Sequence, residues 1–353
     1  MSPGPPLPAL FGSSSQMPQE TILITGAAGF LGSLLAKTLL NGDAGAIRLI
    51  LTDVIDPAII SGGDVKTLKA DLTSDDHARL LFETEFGIPD TIYCMHGIMS
   101  RGAEDNFDLG FKINVDSVVG LLQAARRLGA QANKVIKFVF TSSLAVYGGP
   151  LPEVVTPSTI AIPQSAYGME KLSCELYINE FTRRGFIDGR ICRLPTIVVR
   201  SGPPAAATSS FLSAIIREPL KGEKAICPIG SALTSPELDL PVWLASPLTT
   251  VENLAIARTI PSEKFMSHSR TVCLPGFTVT IRNMLEALEK FVGGRGEVEK
   301  LIEFKNDETN KRVVSSWPAR FDCSYAMSLG FKVDEQGMDG VIQDYIQMTK
   351  GQT

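Results

Sequence analysis

Tyr167 and Lys171 stand four residues apart in the run Tyr-Gly-Met-Glu-Lys. On a helix that spacing puts both side chains on one face, one turn apart. A phenol is a poor base near neutrality, with an ordinary pKa of about 10. An ammonium held close to it favours the phenolate. Such a pair can remove a proton from a substrate hydroxyl while a nicotinamide cofactor takes the hydride. Alone, the spacing also fits a half-buried Tyr beside a solvated Lys. The rest of the chain has to decide between the two.

The elements that would position this pair begin near the N-terminus. Residues 21–25 form a short apolar run suited to a buried parallel strand. Gly26, Gly29 and Gly32 follow, then an amphipathic segment over 33–40. In this strand–turn–helix context Gly26 permits the tight turn and Gly29 lets backbone approach a pyrophosphate at the helix N-terminus. Gly32 lets helix and strand pack closely. A second strand, 47–52, ends at Asp53, whose carboxylate can accept from ribose hydroxyls and repels a 2′-phosphate. With no Arg close behind it, NAD is expected rather than NADP.

A third strand over 66–72 brings Asp71 towards the adenine, and a fourth, 90–95, runs into His96 and Gly97. Placed at a strand end, His96 is expected to line the cofactor groove rather than to catalyse. One long helix is expected over 104–128, its apolar pattern interrupted by Asn114, either a satisfied core amide or a site residue. The strand 135–141 leads to Ser142 and Ser143, and the strand 189–193 to Leu194-Pro195-Thr196.

Strands alternating with helices behind a Gly turn imply an α/β fold, a doubly wound parallel sheet of the Rossmann kind. Ligands bind such sheets beyond the carboxyl ends of the strands. Asp53, Asp71, Gly97, Ser143 and Pro195 all fall there, which places them in one site. Residues 20–200 are read as the nucleotide domain, with a segment near 246–262 returning to it as a late strand at 251–255. Residues 201–245 and 263–353 are read as a smaller substrate-binding lobe. Residues 1–19, rich in Pro, Ser and Gly, read as a disordered tail.

Composition excludes several classes. A hydrophobic fraction of 44% and a charged fraction of 20% suit a globular enzyme, and a net charge of −5 leaves no basic patch for nucleic acid. No apolar run reaches the roughly 18 residues of a membrane span. Six scattered cysteines without a C-x-x-C pair suggest free thiols in a reducing compartment, so a cytoplasmic protein is expected. The three histidines lack ligand spacing, so no metal is expected.

Taken together, Thr-Gly-Ala-Ala-Gly-Phe-Leu-Gly (25–32), Asp53, Asp71-Leu72, Asn114, Thr-Ser-Ser-Leu-Ala-Val-Tyr-Gly (141–148), Tyr167 with Lys171 and Arg193-Leu194-Pro195 resemble the extended short-chain dehydrogenase/reductase family. The resemblance runs from about residue 21 to the C-terminus. It implies that Tyr167 is the acid/base and that Lys171 also holds the nicotinamide ribose. Ser143, in preference to Ser142, orients the reacting oxygen, and Asn114 supports the proton path. It implies NAD contacts from Gly26, Gly29, Phe30, Leu31, Gly32, Asp53, Asp71, Leu72, His96, Gly97, Ser142 and Pro195. The helices around Asn114 and Tyr167 resemble those that pair two subunits, which implies a homodimer.

Two departures narrow the reaction. Leu144 and Ala145 occupy the place of the acidic pair of the related dehydratases, and Ser246 that of a phosphate-gripping Arg of the epimerases. The stretches around His96–Glu104, Ser209–Phe211, Ile216–Leu220 and Trp243–Pro247 are most similar to the D-erythronate dehydrogenase branch. That implies NAD-dependent oxidation of the C2 hydroxyl of a small hydroxy acid. Ser316-Trp317-Pro318 also resembles short-chain L-threonine 3-dehydrogenases. Ser100 and Ser143 are then expected at the reacting oxygens. Arg217 is the first candidate for the carboxylate, Arg101 the second and Arg200 the third. The alternatives are an NAD-retaining epimerase of a nucleotide sugar and a non-catalytic NAD-sensing protein.

Overall fold

A computed structural model describes residues 19–43, 45–202 and 208–350. The expected tail lies outside the described residues except for Gln19. The chain opens as β1 (Glu20–Thr25), α1 (Phe30–Asp43), β2 (Ile47–Asp53), β3 (Asp64–Lys69), α2 (Asp75–Leu80) and β4 (Thr91–Cys94). It continues as α3 (Ser100–Asp105), α4 (Phe107–Phe111), a π-turn (Lys112–Asp116), α5 (Ser117–Gln131), β5 (Lys137–Ser143), α6 (Ala166–Arg183) and β6 (Asp188–Leu194).

These strands, with the later β10 (Thr271–Cys273), form a seven-stranded parallel sheet in the order β10-β6-β5-β4-β1-β2-β3. The fold is the α/β doubly wound sheet expected from sequence. Chain order reverses between β1 and β4, so the crevice opens above their carboxyl ends. Alternate strand residues serve opposite layers, as the period of two requires. Leu23, Ile50 and Ile92 pack with α5 and α6 on one face. Ile22, Ile24, Leu49 and Leu51 pack with α1 and the helix that follows Ser246 on the other.

Two expectations fail here. The helix expected over 104–128 is broken, because Asn106 has φ −143°, outside the helical region, and caps α4 through Leu109 N–H. Beyond α4 the backbone widens into the π-turn that carries Asn114. The late strand expected at 251–255 lies inside a helix, Pro247–Thr259. Ser246 caps its first turn, Pro247 sits at the first helical position, and the buried Val251, Leu254 and Ala257 repeat at helical spacing. The strand that joins the main sheet at that edge is β10.

The remaining elements are β7 (Thr196–Ile197), α7 (Ser210–Arg217), β8 (Ala225–Cys227), β9 (Pro241–Ala245), α8 (Pro247–Thr259), then, after β10, β11 (Phe277–Thr280), α9 (Ile281–Val292), α10 (Arg295–Leu301), β12 (Ile302–Phe304), α11 (Glu308–Ser315), α12 (Ser324–Ser328) and α13 (Gly337–Lys350). A third core gathers α7, β8, β9, α9 and α13 around Leu212, Ile216, Leu244, Leu285 and Ile342. It forms the wall that faces the crevice from the C-terminal side. Among the described residues no helix is long and apolar enough to cross a membrane, and no group of His, Cys, Asp or Glu is arranged to hold a metal.

Candidate active site

A groove of about 640 Å³ lies above the carboxyl ends of β1, β2, β4 and β5. Of the residues nominated for the site, Gly26, Gly29, Phe30, Leu31, Gly32, Asp53, Asp71, Leu72, His96, Gly97, Ser100, Ser142, Ser143, Tyr167, Lys171, Pro195, Arg200 and Arg217 all line it. Asn114 lies just behind the lining, and Arg101 is not part of it.

The cofactor end is built from bare backbone. Gly26 has φ +70°, and a Cβ there would meet His96 N at 2.8 Å and Met95 O at 2.9 Å. The turn therefore runs directly against the end of β4. A Cβ at Gly32 would overlap the Gly26 carbonyl. Asp53 ties the same turn from β2, accepting Ala28 N–H at 3.0 Å and Val54 N–H at 2.7 Å. Asp71 accepts Thr73 N–H at 3.0 Å, which holds its carboxyl below the usual range. These features fit a dinucleotide, whose pyrophosphate needs a side-chain-free turn at a helix N-terminus.

His96 is pinned between two hydroxyls, Nδ1 to Thr25 Oγ1 at 2.8 Å and Nε2 to Ser117 Oγ at 2.7 Å. Ser117 Oγ donates to Ile113 O, so it accepts from Nε2–H. Nδ1 is then the acceptor. Burial, with Lys171 nearby, pushes the imidazole down to about 3, so it stays neutral. Both ring nitrogens are occupied, which suits a wall residue rather than a proton carrier.

The other end of the groove begins at the start of α6. Ser165 caps the helix by accepting Gly168 N–H at 3.2 Å, and Glu104 Oε2 accepts Ala166 N–H at 3.0 Å. A Cβ at Gly168 would overlap the Ala145 carbonyl. The helix start is thus pressed onto the segment after Ser143. Tyr167 is half-buried, and Lys171, 3% exposed, lies one turn on. Lys171 Nζ donates to Thr141 O at 3.0 Å and sits 5.6 Å from the Tyr167 ring centre. Its cation is fixed between α6 and β5 at the floor of the groove.

Ser142 and Ser143 separate cleanly. Ser142 is buried and donates to Glu175, which pairs with Arg193. Arg193 also donates to Tyr147 Oη at 2.6 Å. This buried network holds the end of β5 from behind. Ser143 Oγ accepts Ala145 N–H at 3.1 Å, which leaves its own proton free for an oxygen in the groove. Leu144 and Ala145 line the groove beside it without an ionisable group.

Asn114, 1% exposed, is fully paired. Its Oδ1 accepts Ile98 N–H at 2.9 Å, and its Nδ2 donates to Ile98 O at 3.1 Å and to Glu170 Oε2 at 2.6 Å. It straps the Gly97–Ile98 loop to α6. Sequence reasoning missed Glu170, which lies between Tyr167 and Lys171 and is fully buried. Its Oε1 has no partner among the described residues. Burial pushes its carboxyl up, against the Asn114 hydrogen bond and the Lys171 charge. A Glu next to a Lys in a helix reads as solvated, and only α4 and the π-turn packed on α6 bury it.

Another wall of the groove comes from α7 and the segment after β7. Arg217, the first candidate for a carboxylate, is 3% exposed and already engaged: it donates to Glu218 Oε1 at 2.5 Å and to Arg200 O at 2.9 Å. Arg101 is exposed and paired with Asp105 at 2.9 Å. Arg200 lines the groove with no carboxylate on its guanidinium among the described residues. Ser201, Ser209, Ser210, Ser213 and Trp317 share that wall, and sequence reasoning had not assigned them to it. Ser246, expected to stand in the place of the epimerases' phosphate-gripping Arg ahead of a late strand, is buried at the α8 cap and does not line the groove.

Comparison with known proteins places this geometry. The profile of the NAD dependent epimerase/dehydratase family matches residues 22–235. D-erythronate dehydrogenase of Haemophilus influenzae is 41% identical over 329 residues, covering 92% of this chain and 98% of that protein. The enzyme of the same name from Cupriavidus necator is 40% identical over 334 residues, with the same coverage. A solved structure described as a nucleoside-diphosphate-sugar epimerase from Agrobacterium tumefaciens superposes with a TM-score of 0.85 at 34% identity, covering 95% of this chain and 96% of that one. L-threonine 3-dehydrogenase from Trypanosoma brucei shares the fold, with a TM-score of 0.77 at 23% identity, covering 93% and 96%.

Proposed function

The chain belongs to the NAD-dependent epimerase/dehydratase family, and on that premise we propose that it uses NAD to oxidise the C2 hydroxyl of a small sugar acid. D-erythronate is the first candidate, giving the 2-oxo acid. An oxidoreductase of the dehydrogenase type with a nicotinamide cofactor follows from the family and its relatives. What carries the finer reading is the 40–41% identity to two D-erythronate dehydrogenases over 98% of their length.

Gly26, Gly29, Phe30, Leu31 and Gly32 would hold the pyrophosphate, Asp53 the adenosine ribose, Asp71 and Leu72 the adenine side, and Lys171 the nicotinamide ribose. His96, Gly97, Ser142 and Pro195 would close the groove around it. When bound, the nicotinamide supplies the two-electron acceptor. Tyr167 takes the proton of the C2 hydroxyl as general base. Ser143, with its proton uncommitted, donates to the reacting oxygen, and Ser100, which lines the same groove, binds the oxygens at that end with it. Lys171 keeps a positive charge beside the phenol as its proton is exchanged. Asn114 supports the proton path by locking the Gly97–Ile98 loop over Lys171.

The test is an NADH-absorbance assay with D-erythronate, L-threonine and UDP-glucose, each with NAD and with NADP. Net NADH is expected with D-erythronate alone. NAD should be preferred on the order of 100-fold, because Asp53 opposes a 2′-phosphate. Net NADH with L-threonine alone would move the substrate. A second reading, an epimerase that retains its cofactor, draws on the Agrobacterium likeness; an epimerised sugar with no net NADH would establish it.

We also propose that two copies of the chain pair through α4 and α6. Phe107 and Phe111 on the first, and Leu176 and Tyr177 on the second, are exposed apolar side chains on the helices nominated for that contact. Light scattering at micromolar concentration should give twice the chain mass; a monomer would exclude the pairing.

A further inference from the structure

Buried arginines in this protein are neutralised one by one. Arg190 meets Asp188 at 2.8 Å, Arg193 meets Glu175 at 2.5 Å, Arg217 meets Glu218 at 2.5 Å, and Arg258 meets Glu20 and Asp43 at 2.6 and 2.5 Å. Such pairing is what burial demands, since an isolated charge away from water is costly. Arg200, partly buried, breaks the pattern. It lines the groove, no ion pair or side-chain hydrogen bond engages it among the described residues, and the titratable groups that bear on it are Tyr167 and Arg217. Burial and the Arg217 charge both work against its cation.

The backbone around Arg200 is nonetheless held firmly. Its N–H donates to Ser213 Oγ at 3.2 Å, and its carbonyl accepts Arg217 Nη1 at 2.9 Å. Arg217 therefore positions the segment from below, with its own charge neutralised by Glu218. Arg200 remains as an uncompensated fork lining the groove within electrostatic reach of Tyr167. A guanidinium in that state is matched in charge and geometry by a planar carboxylate.

We infer that Arg200 is the residue that takes the substrate's carboxylate, and that Arg217 acts as a positioning residue for it. This rests on the hydroxy-acid reading above and reverses the order expected from sequence, where Arg217 came first. Ser201, Ser209 and Ser210 on the same wall offer hydroxyls to the carboxylate oxygens that the fork leaves open. With its acid end on Arg200, a four-carbon substrate is anchored by charge in the groove that Tyr167 lines. An unbranched polyol of the same length lacks the group that the site is charged to receive.

The experiment is calorimetric titration of D-erythronate into the enzyme–NADH complex, with turnover measured in parallel, for wild type, Arg200→Gln and Arg200→Lys. Arg200→Gln should weaken D-erythronate binding on the order of 100-fold, with NADH affinity unchanged within about threefold. Arg200→Lys keeps the charge without the fork and should fall between. The neutral amide of D-erythronate should bind wild type and Arg200→Gln alike. D-erythronate binding that survives Arg200→Gln within about threefold overturns the inference while leaving the function intact. Arg200-dependent binding of D-erythronate without turnover supports Arg200 and removes the proposed reaction. If wild type binds UDP-glucose in its place and Arg200→Gln does not, Arg200 serves a phosphate and the carboxylate assignment falls. It falls equally if neither compound shows Arg200-dependent binding.

Discussion

Replacing Tyr167 with phenylalanine should lower kcat/KM for the hydroxy acid by at least about 1,000-fold while leaving NAD affinity within about threefold. The substitution removes one oxygen from a half-buried ring and leaves the ring in place. The helix start around it is secured by other groups: the Ser165 cap, the Glu104 contact to Ala166 N–H and the close approach of Gly168 to Ala145. Lys171 keeps its bond to Thr141 O, so the charge at the groove floor stays where it was. What disappears is the only phenol lining the groove among the described residues. No neighbour can replace it. His96 has both nitrogens engaged and is held neutral, Ser142 is committed to Glu175, and Leu144 and Ala145 carry no proton. Loss confined to kcat, with cofactor binding intact, identifies a group acting on the reacting hydroxyl. A Tyr167→Phe enzyme that keeps a tenth of its turnover sinks the assignment, and Glu170 would then be the next candidate to test.

The second large effect is expected at Gly26, whose replacement by alanine should weaken NAD binding on the order of 100-fold and lower Tm by several degrees. Two penalties coincide there. The backbone has φ +70°, where a non-glycine residue costs about 1–3 kcal/mol. The new methyl would also stand 2.8 Å from His96 N and 2.9 Å from Met95 O, both main-chain atoms that no rotamer change can move. The turn can relieve that clash only by lifting from the end of β4, which carries its amides away from the pyrophosphate position. Asp53 would be dragged along, because its carboxylate accepts the Ala28 amide within the same turn. Fluorescence titration with NADH and a thermal melt read the two effects separately. NADH affinity within about threefold of wild type would show that the turn does not hold the cofactor.

The strand, Gly turn and helix half of the groove was legible in advance because it is local. Strand, Gly turn and helix are contiguous, and each glycine's role depends on neighbours a few residues away. Asp53 followed because a strand end in a doubly wound sheet has one place to point. The Tyr167–Lys171 relation followed for the same reason, since helical spacing alone puts the two side chains on one face. The misreadings arose where local signals conflicted. Residues 251–255 look apolar enough for a strand, yet Ser246 and Pro247 are helix-start residues, and the helix settles onto α1 and the sheet. The helix expected over 104–128 has good apolar periodicity, but Asn106 competes for the backbone as a cap and the π-turn rotates Asn114 inward.

The sequence by itself determined the doubly wound sheet, the Gly turn between strand and helix and the pairing of Tyr167 with Lys171, because backbone geometry over a few residues dictates each of them. Tertiary structure alone decided which charges are answered. Glu170 is buried because α4 and the π-turn pack over it, Arg217 is neutralised by Glu218, and Arg200 is left uncompensated in the groove. A side chain's charge is written in the sequence. Its desolvation and its partner depend on elements brought together through space, and those two quantities set whether an arginine holds the fold or waits for a substrate.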